Sequence, residues 1–179
     1  MKPESRIHSL TQIAEGLARG HTYSTTRLTT LKPLCAPRQV ALAFAWFAVR
    51  VAGHRAKPPV STQERELLRA VRARLRRSTG PARSETDALL DRLVGYQSQH
   101  VPLTWGSARV ITSRPVLIAE KALTLAMAST PEERGARAYD LAATLTRRND
   151  PRYGTGLIPE SAESVRQLAQ FFHRQCGGA

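Results

Sequence analysis

Arg65, Arg69, Arg72 and Arg76 stand four, three and four residues apart in a stretch free of glycine and proline. On a helix that spacing sets four guanidiniums along one face. Guanidinium is always charged and presents a planar fork of donors that matches phosphate. At about 1.5 Å per residue the row from Arg65 to Arg76 extends about 16 Å, the length of several consecutive phosphates on one strand. Arg74 and Arg77 widen the basic zone toward the C-terminal end of the same helix, where cations suit the helix dipole. Leu68, Val71 and Leu75 form the adjoining apolar stripe that anchors it. The competing reading is a solvated face, partly neutralised by Glu64 and Glu66.

A second basic group lies at residues 147–156. Arg147, Arg148 and Arg152 accompany Tyr153, whose ring would stack on an unpaired base while the arginines hold phosphates. Gly154 and Gly156 follow no strand, so neither a P-loop nor a dinucleotide-binding turn is present. The simpler expectation is that Tyr153 and Leu157 fill the gap between the last two helices.

Residues 10–31 resemble a helix-turn-helix. Leu10, Ile13, Ala14 and Leu17 look like its first helix, and the hydroxyl-rich residues 24–31, with Arg27, stand where a recognition helix would enter a major groove. Ser24 and Arg27 fall where that motif wants apolar residues, and buried polar groups are unfavourable. Two ordinary helices joined at Gly20 are the plainer alternative. Residues 102–106 read as a structured turn carrying Trp105, and Trp46, within the most apolar segment, as core.

Catalytic and metal chemistry find little support. His8, His21, His54, His100 and His173 are scattered, and none has a partner at metal-ligand spacing. His173 and Cys176 are two ligands beside a chain end. Cys35 has no evident base partner, and Glu132-Glu133 suit helix capping. The expectation is a non-enzymatic protein with no metal and no cofactor.

Charge points the same way. Of 179 residues 27 are basic, 23 of them arginine, and 14 acidic, for a formal net charge of +13. Residues 1–60 hold nine bases against two acids and are the most electropositive third. Arginine excess alone can reflect base composition of a genome, but the shortage of acids is harder to explain that way. Such a chain attracts polyanions at long range. Nucleic acid ranks first, an acidic protein second and an anionic membrane third. Cys35 and Cys176 are too few and too far apart for a disulfide framework. With no leader-like segment and no apolar run beyond residues 40–49, the expected setting is the cytoplasm, or the nucleoid if DNA is bound.

The elements that must position these groups are helical. The stripe from Leu10 to Leu17 starts after Ser9 and stops near Gly20; a short helix covers residues 24–31; Pro37 opens a helix apolar nearly all round, predicted to be central. Ser61 and Glu64 form a capping box, as do Thr130 and Glu133. Ser84 caps a helix bearing Ala88, Leu89, Leu93 and Tyr96. Residues 115–128 form a further buried helix, and Ser161 caps a last one with Val165, Leu168, Phe171 and Phe172. Residues 100–115 are least helical, with Val110, Ile111 and Thr112 a candidate for a short extended piece. The reading is an all-α, single-domain bundle of about seven helices with short loops. The expected activity is low-selectivity nucleic-acid binding, DNA ahead of RNA, through arginine–phosphate contacts. The alternative is a helical adaptor or subunit that meets an acidic protein partner in a larger assembly, and no membrane partner is expected.

Overall fold

Helix α1 spans Pro3–Ala18, seven residues longer at its start than the apolar stripe from Leu10 suggests. Pro3 presets the first helical φ and Glu4 complements the dipole there. Ser9 is therefore interior, and its hydroxyl donates to the Ser5 carbonyl at 3.0 Å. The helix stops where predicted. Gly20 takes φ +88°, and the amides of His21 and Gly20 donate to the carbonyls of Gly16 and Leu17, both at 3.0 Å, which is the Schellman closure that glycine permits.

This fold is seen in a computed structural model, which describes residues 2–55, 60–76, 83–99, 113–146 and 156–176. Beyond α1, strand β1 (Tyr23–Ser24) pairs antiparallel with β2 (Gly156–Leu157), Tyr23 opposite Leu157. Residues Thr25–Thr30 then form a 3-10 turn that runs into the four-residue α2 (Leu31–Leu34). Leu28, Leu31 and Leu34 are all buried. Three-residue spacing keeps Leu28, in the 3-10 turn, on the same side as Leu31 and Leu34 of α2. The expected single helix over residues 24–31 is thus replaced by a tighter one, and no continuous α-helical recognition element forms there.

The remaining helices are α3 (Arg38–Arg55), α4 (Thr62–Arg76), α5 (Arg83–Gln99), α6 (Arg114–Met127), α7 (Pro131–Thr146) and α8 (Ala162–Cys176), the last preceded by a 3-10 turn at Pro159–Ser161. The architecture is all-α. Among the described residues it has eight α-helices, in keeping with the about seven expected, and a single two-stranded ribbon. Central as predicted, α3 packs on α4, α6 and α7, while α1 lies along α8. Phe44 and Phe47 meet Phe171 and Phe172 with ring centroids 4.7–5.8 Å apart, joining α3 to α8 at distances where offset and edge-on aromatic contacts are favourable.

Capping follows the sequence closely. The Glu64 carboxylate accepts from the Ser61 amide at 2.6 Å, and the Ser61 hydroxyl accepts from the Glu64 amide at 3.1 Å. At α7 the Thr130 hydroxyl accepts from Glu133 in the same way, but the Glu133 carboxylate reaches one residue further back, to the Ser129 amide. Three expectations fail. Ser84 stands inside α5, one residue past its start at Arg83, so it does not cap that helix. Ser161 ends the 3-10 turn with its hydroxyl buried and unpartnered, so it does not cap α8. Ala88 is exposed, and Thr86 is the buried neighbour instead. Buried Gln97 and Ser113 exchange two hydrogen bonds, side-chain amide to carbonyl at 2.7 Å and backbone amide to side-chain oxygen at 3.3 Å, which fixes the end of α5 against the start of α6.

Candidate nucleic-acid interface

Helix α4 buries Leu67, Leu68 and Val71 and turns Arg65, Arg69 and Arg76 to solvent, with Arg72 half-buried beside them. None of these four arginines forms an ion pair with a carboxylate among the described residues; Arg65 donates a long hydrogen bond of 3.5 Å to the Val60 carbonyl. Glu64, expected to neutralise the face, has its carboxylate engaged at the helix N-terminus. Glu66 is exposed nearby and likewise unpaired with a described cation.

Arg74 departs from the expected site. Its side chain is buried, with the guanidinium 3.1 Å from the Glu85 carboxylate and its Nε donating to the Thr86 hydroxyl at 3.3 Å. At about 100° per residue, nine residues carry the chain about 180° round the helix from Arg65. Arg74 therefore points at α5, and it is a tie between two helices.

The structure adds two groups that sequence reading missed. Trp46, expected in the core, is half-buried, and two guanidiniums lie over its ring, Arg50 at 5.6 Å and Arg76 at 5.4 Å from the centroid. This cation–π geometry joins the end of the α4 row to α3 and carries the positive surface onto a second helix. Trp46 and Arg50 are four residues apart, a spacing that puts them on one helical face; the arrival of Arg76 from another helix had no sequence signal.

Elsewhere, arginine has structural work. Arg114 donates to the carbonyls of Thr144 and Leu145, satisfying the free end of α7. Arg134 donates to the carbonyls of Ala36 and Ser129, both at 2.8 Å. Arg166 pairs with Glu163, and Lys121 with Asp140. Arg27 is exposed on the 3-10 turn with its guanidinium 5.3 Å over the Tyr23 ring. That turn packs on α1, α2 and α7, whereas α4 packs on α3, α5 and α6, so Arg27 and the α4 row belong to different parts of the fold. Arg77, Arg147, Arg148, Arg152, Tyr153 and Trp105 lie outside the described residues.

Cys35 is fully buried. Burial, and secondarily the nearby Cys176 thiol, push it far above the ordinary thiol range, the reverse of what a nucleophile needs. Burial also raises Cys176. Among the described residues no group of three or more His, Cys, Asp or Glu is placed to hold a metal ion, and no helix is long and apolar enough to cross a membrane.

The chain was compared with protein-family models, curated proteins and solved structures, and nothing in any of the three matches it.

Proposed function

We propose that this chain is a non-enzymatic nucleic-acid-binding protein, resident in the cytoplasm or on the nucleoid. Its affinity comes from arginine–phosphate contacts of low sequence selectivity, with DNA preferred over RNA. The observation that supports this reading is the row Arg65, Arg69, Arg72 and Arg76, continued by Arg50 beside Trp46, with no carboxylate paired to it among the described residues. Unpaired guanidiniums on one face release condensed counter-ions when they meet phosphates, so affinity depends steeply on salt. The adaptor reading is less favoured, because the described apolar side chains of α3 are buried or half-buried, Val40, Leu42, Trp46, Phe47 and Val51 among the latter, and none is fully exposed.

The test is binding to labelled duplex DNA, single-stranded DNA and RNA across a salt series. A linear, steep fall of log affinity with log salt is expected, strongest for duplex DNA. Absence of binding at low salt overturns the reading.

A further inference from the structure

The C-terminal half of α1 and the 3-10 turn Thr25–Thr30 flank an open cleft of about 570 Å³, within the range of small-molecule sites. Arg19 reaches it from the end of α1 and Arg27 from the 3-10 turn, with His21, Tyr23 and Thr29 between them. Glu15 is the acid among the lining residues, and it forms no ion pair with Arg19 four residues on, nor with any described cation. Two exposed guanidiniums thus face a concave wall without a counter-charge bound to them.

The wall is held in place by backbone features rather than by chance packing. The left-handed Gly20 closes α1 and sets His21. Pairing of β1 with β2 sets Tyr23, whose hydroxyl is 3.4 Å from the His21 ring nitrogen Nδ1. Gly16 makes room for that hydroxyl, since a Cβ there would lie 1.9 Å from it. Arg27 is steadied over the Tyr23 ring, leaving the edge of its fork open to a ligand. At the same wall the Thr30 hydroxyl is buried with no hydrogen-bond partner.

We propose that this cleft binds a small phosphomonoester, with Arg19 and Arg27 holding the phosphate and the polar wall of Tyr23 and Thr29 facing its organic body. Paired guanidinium forks suit the phosphate oxygens. The cleft is larger than a phosphate ion needs, which is the reason to expect a body attached to it. This site is independent of the α4 face, none of whose residues lines it.

The test is calorimetric titration of the full chain, at constant ionic strength, with AMP, glycerol 3-phosphate, inorganic phosphate and adenosine. Saturable binding of AMP or glycerol 3-phosphate at one per chain is expected, with competition by inorganic phosphate and no binding of adenosine. Arg19→Gln combined with Arg27→Gln should weaken it at least about tenfold, the loss of one charged hydrogen bond or more, while leaving the salt dependence of DNA binding unchanged. Both side chains are exposed, and circular dichroism checks that the variant folds. The α4 variant lacking Arg65, Arg69, Arg72 and Arg76 should bind the phosphomonoester as the parent does. The proposal is overturned if neither ester binds at millimolar concentration, if adenosine binds as well as AMP, or if the α4 variant rather than the cleft variant loses binding.

Discussion

Arg74 and Arg76 are two residues apart, yet one faces Glu85 and Thr86 in the interior while the other lies over Trp46 at the surface. Their variants should separate accordingly. Arg74→Ala removes a packed stem and orphans its partners, and is expected to destabilise by about 1–3 kcal/mol in chemical denaturation. Little of that is the ion pair, because Glu85 is mostly exposed and its charge well screened. Arg76→Ala should alter stability by under about 1 kcal/mol and weaken DNA binding instead. A second residue-scale expectation concerns Cys35. An unfolded thiol ionises near about pH 8.5, whereas the buried one keeps its proton. The stability that this group confers is intact below that pH and falls above it, by up to about 1.4 kcal/mol per pH unit. Cys35→Ala should flatten the alkaline limb of a stability–pH curve measured by denaturation; an unchanged slope would show that the thiol titrates alike in both states.

At the scale of elements, α4 acts as a unit because its outward arginines share one face. Replacing Arg65, Arg69, Arg72 and Arg76 together by glutamine should reduce the slope of log affinity against log salt by up to about 3.6, taking about 0.9 per phosphate contact on duplex DNA. The change should be far smaller for Arg74→Gln. Helix α7 offers a packing test. A Cβ on Gly135 would sit 2.9 Å from the Lys32 carbonyl oxygen, so α7 approaches α2 by virtue of that glycine. Backbone cannot swing aside as a side chain can, and Gly135→Ala should destabilise by about 1–3 kcal/mol, read from the denaturation midpoint. Much of this scale was legible in advance. Both capping boxes, the stop at Gly20 and the central α3 follow from local spacing and punctuation. The 3-10 turn was not legible: residues 24–31 suited a short α-helix, and the three-residue spacing of Leu28 and Leu31 fits either kind of helix.

For the whole molecule, a net charge of +13 on 179 residues means that compaction works against self-repulsion. Raising ionic strength from about 0.01 M to 0.15 M shortens the Debye length from about 30 Å to about 8 Å. Sodium chloride over this range should therefore raise the melting temperature by a few degrees, while it weakens binding to DNA. Opposite responses of stability and affinity to one variable would mark the outward arginines as unpaired in solution. A melting temperature that is flat or falls with salt would mean that they are neutralised within the fold.

By itself the sequence determined the helical class, most helix ends and the one-sided row on α4, because periodicity, caps and glycine act over three or four residues. It also contained the opposite placement of Arg74, which helical geometry alone implies once Arg65 faces outward. Only the tertiary structure decided which arginines have partners and which do not. The neighbours of Arg76 and Arg134, namely Trp46 and the Ala36 carbonyl, are 30 and 98 residues away in the chain, and the β1–β2 ribbon that frames the cleft joins residues over 130 apart. A guanidinium carries the same charge wherever it stands, so its type and number fix the field around the protein. Its task is set by what long-range packing brings within about 4 Å of it.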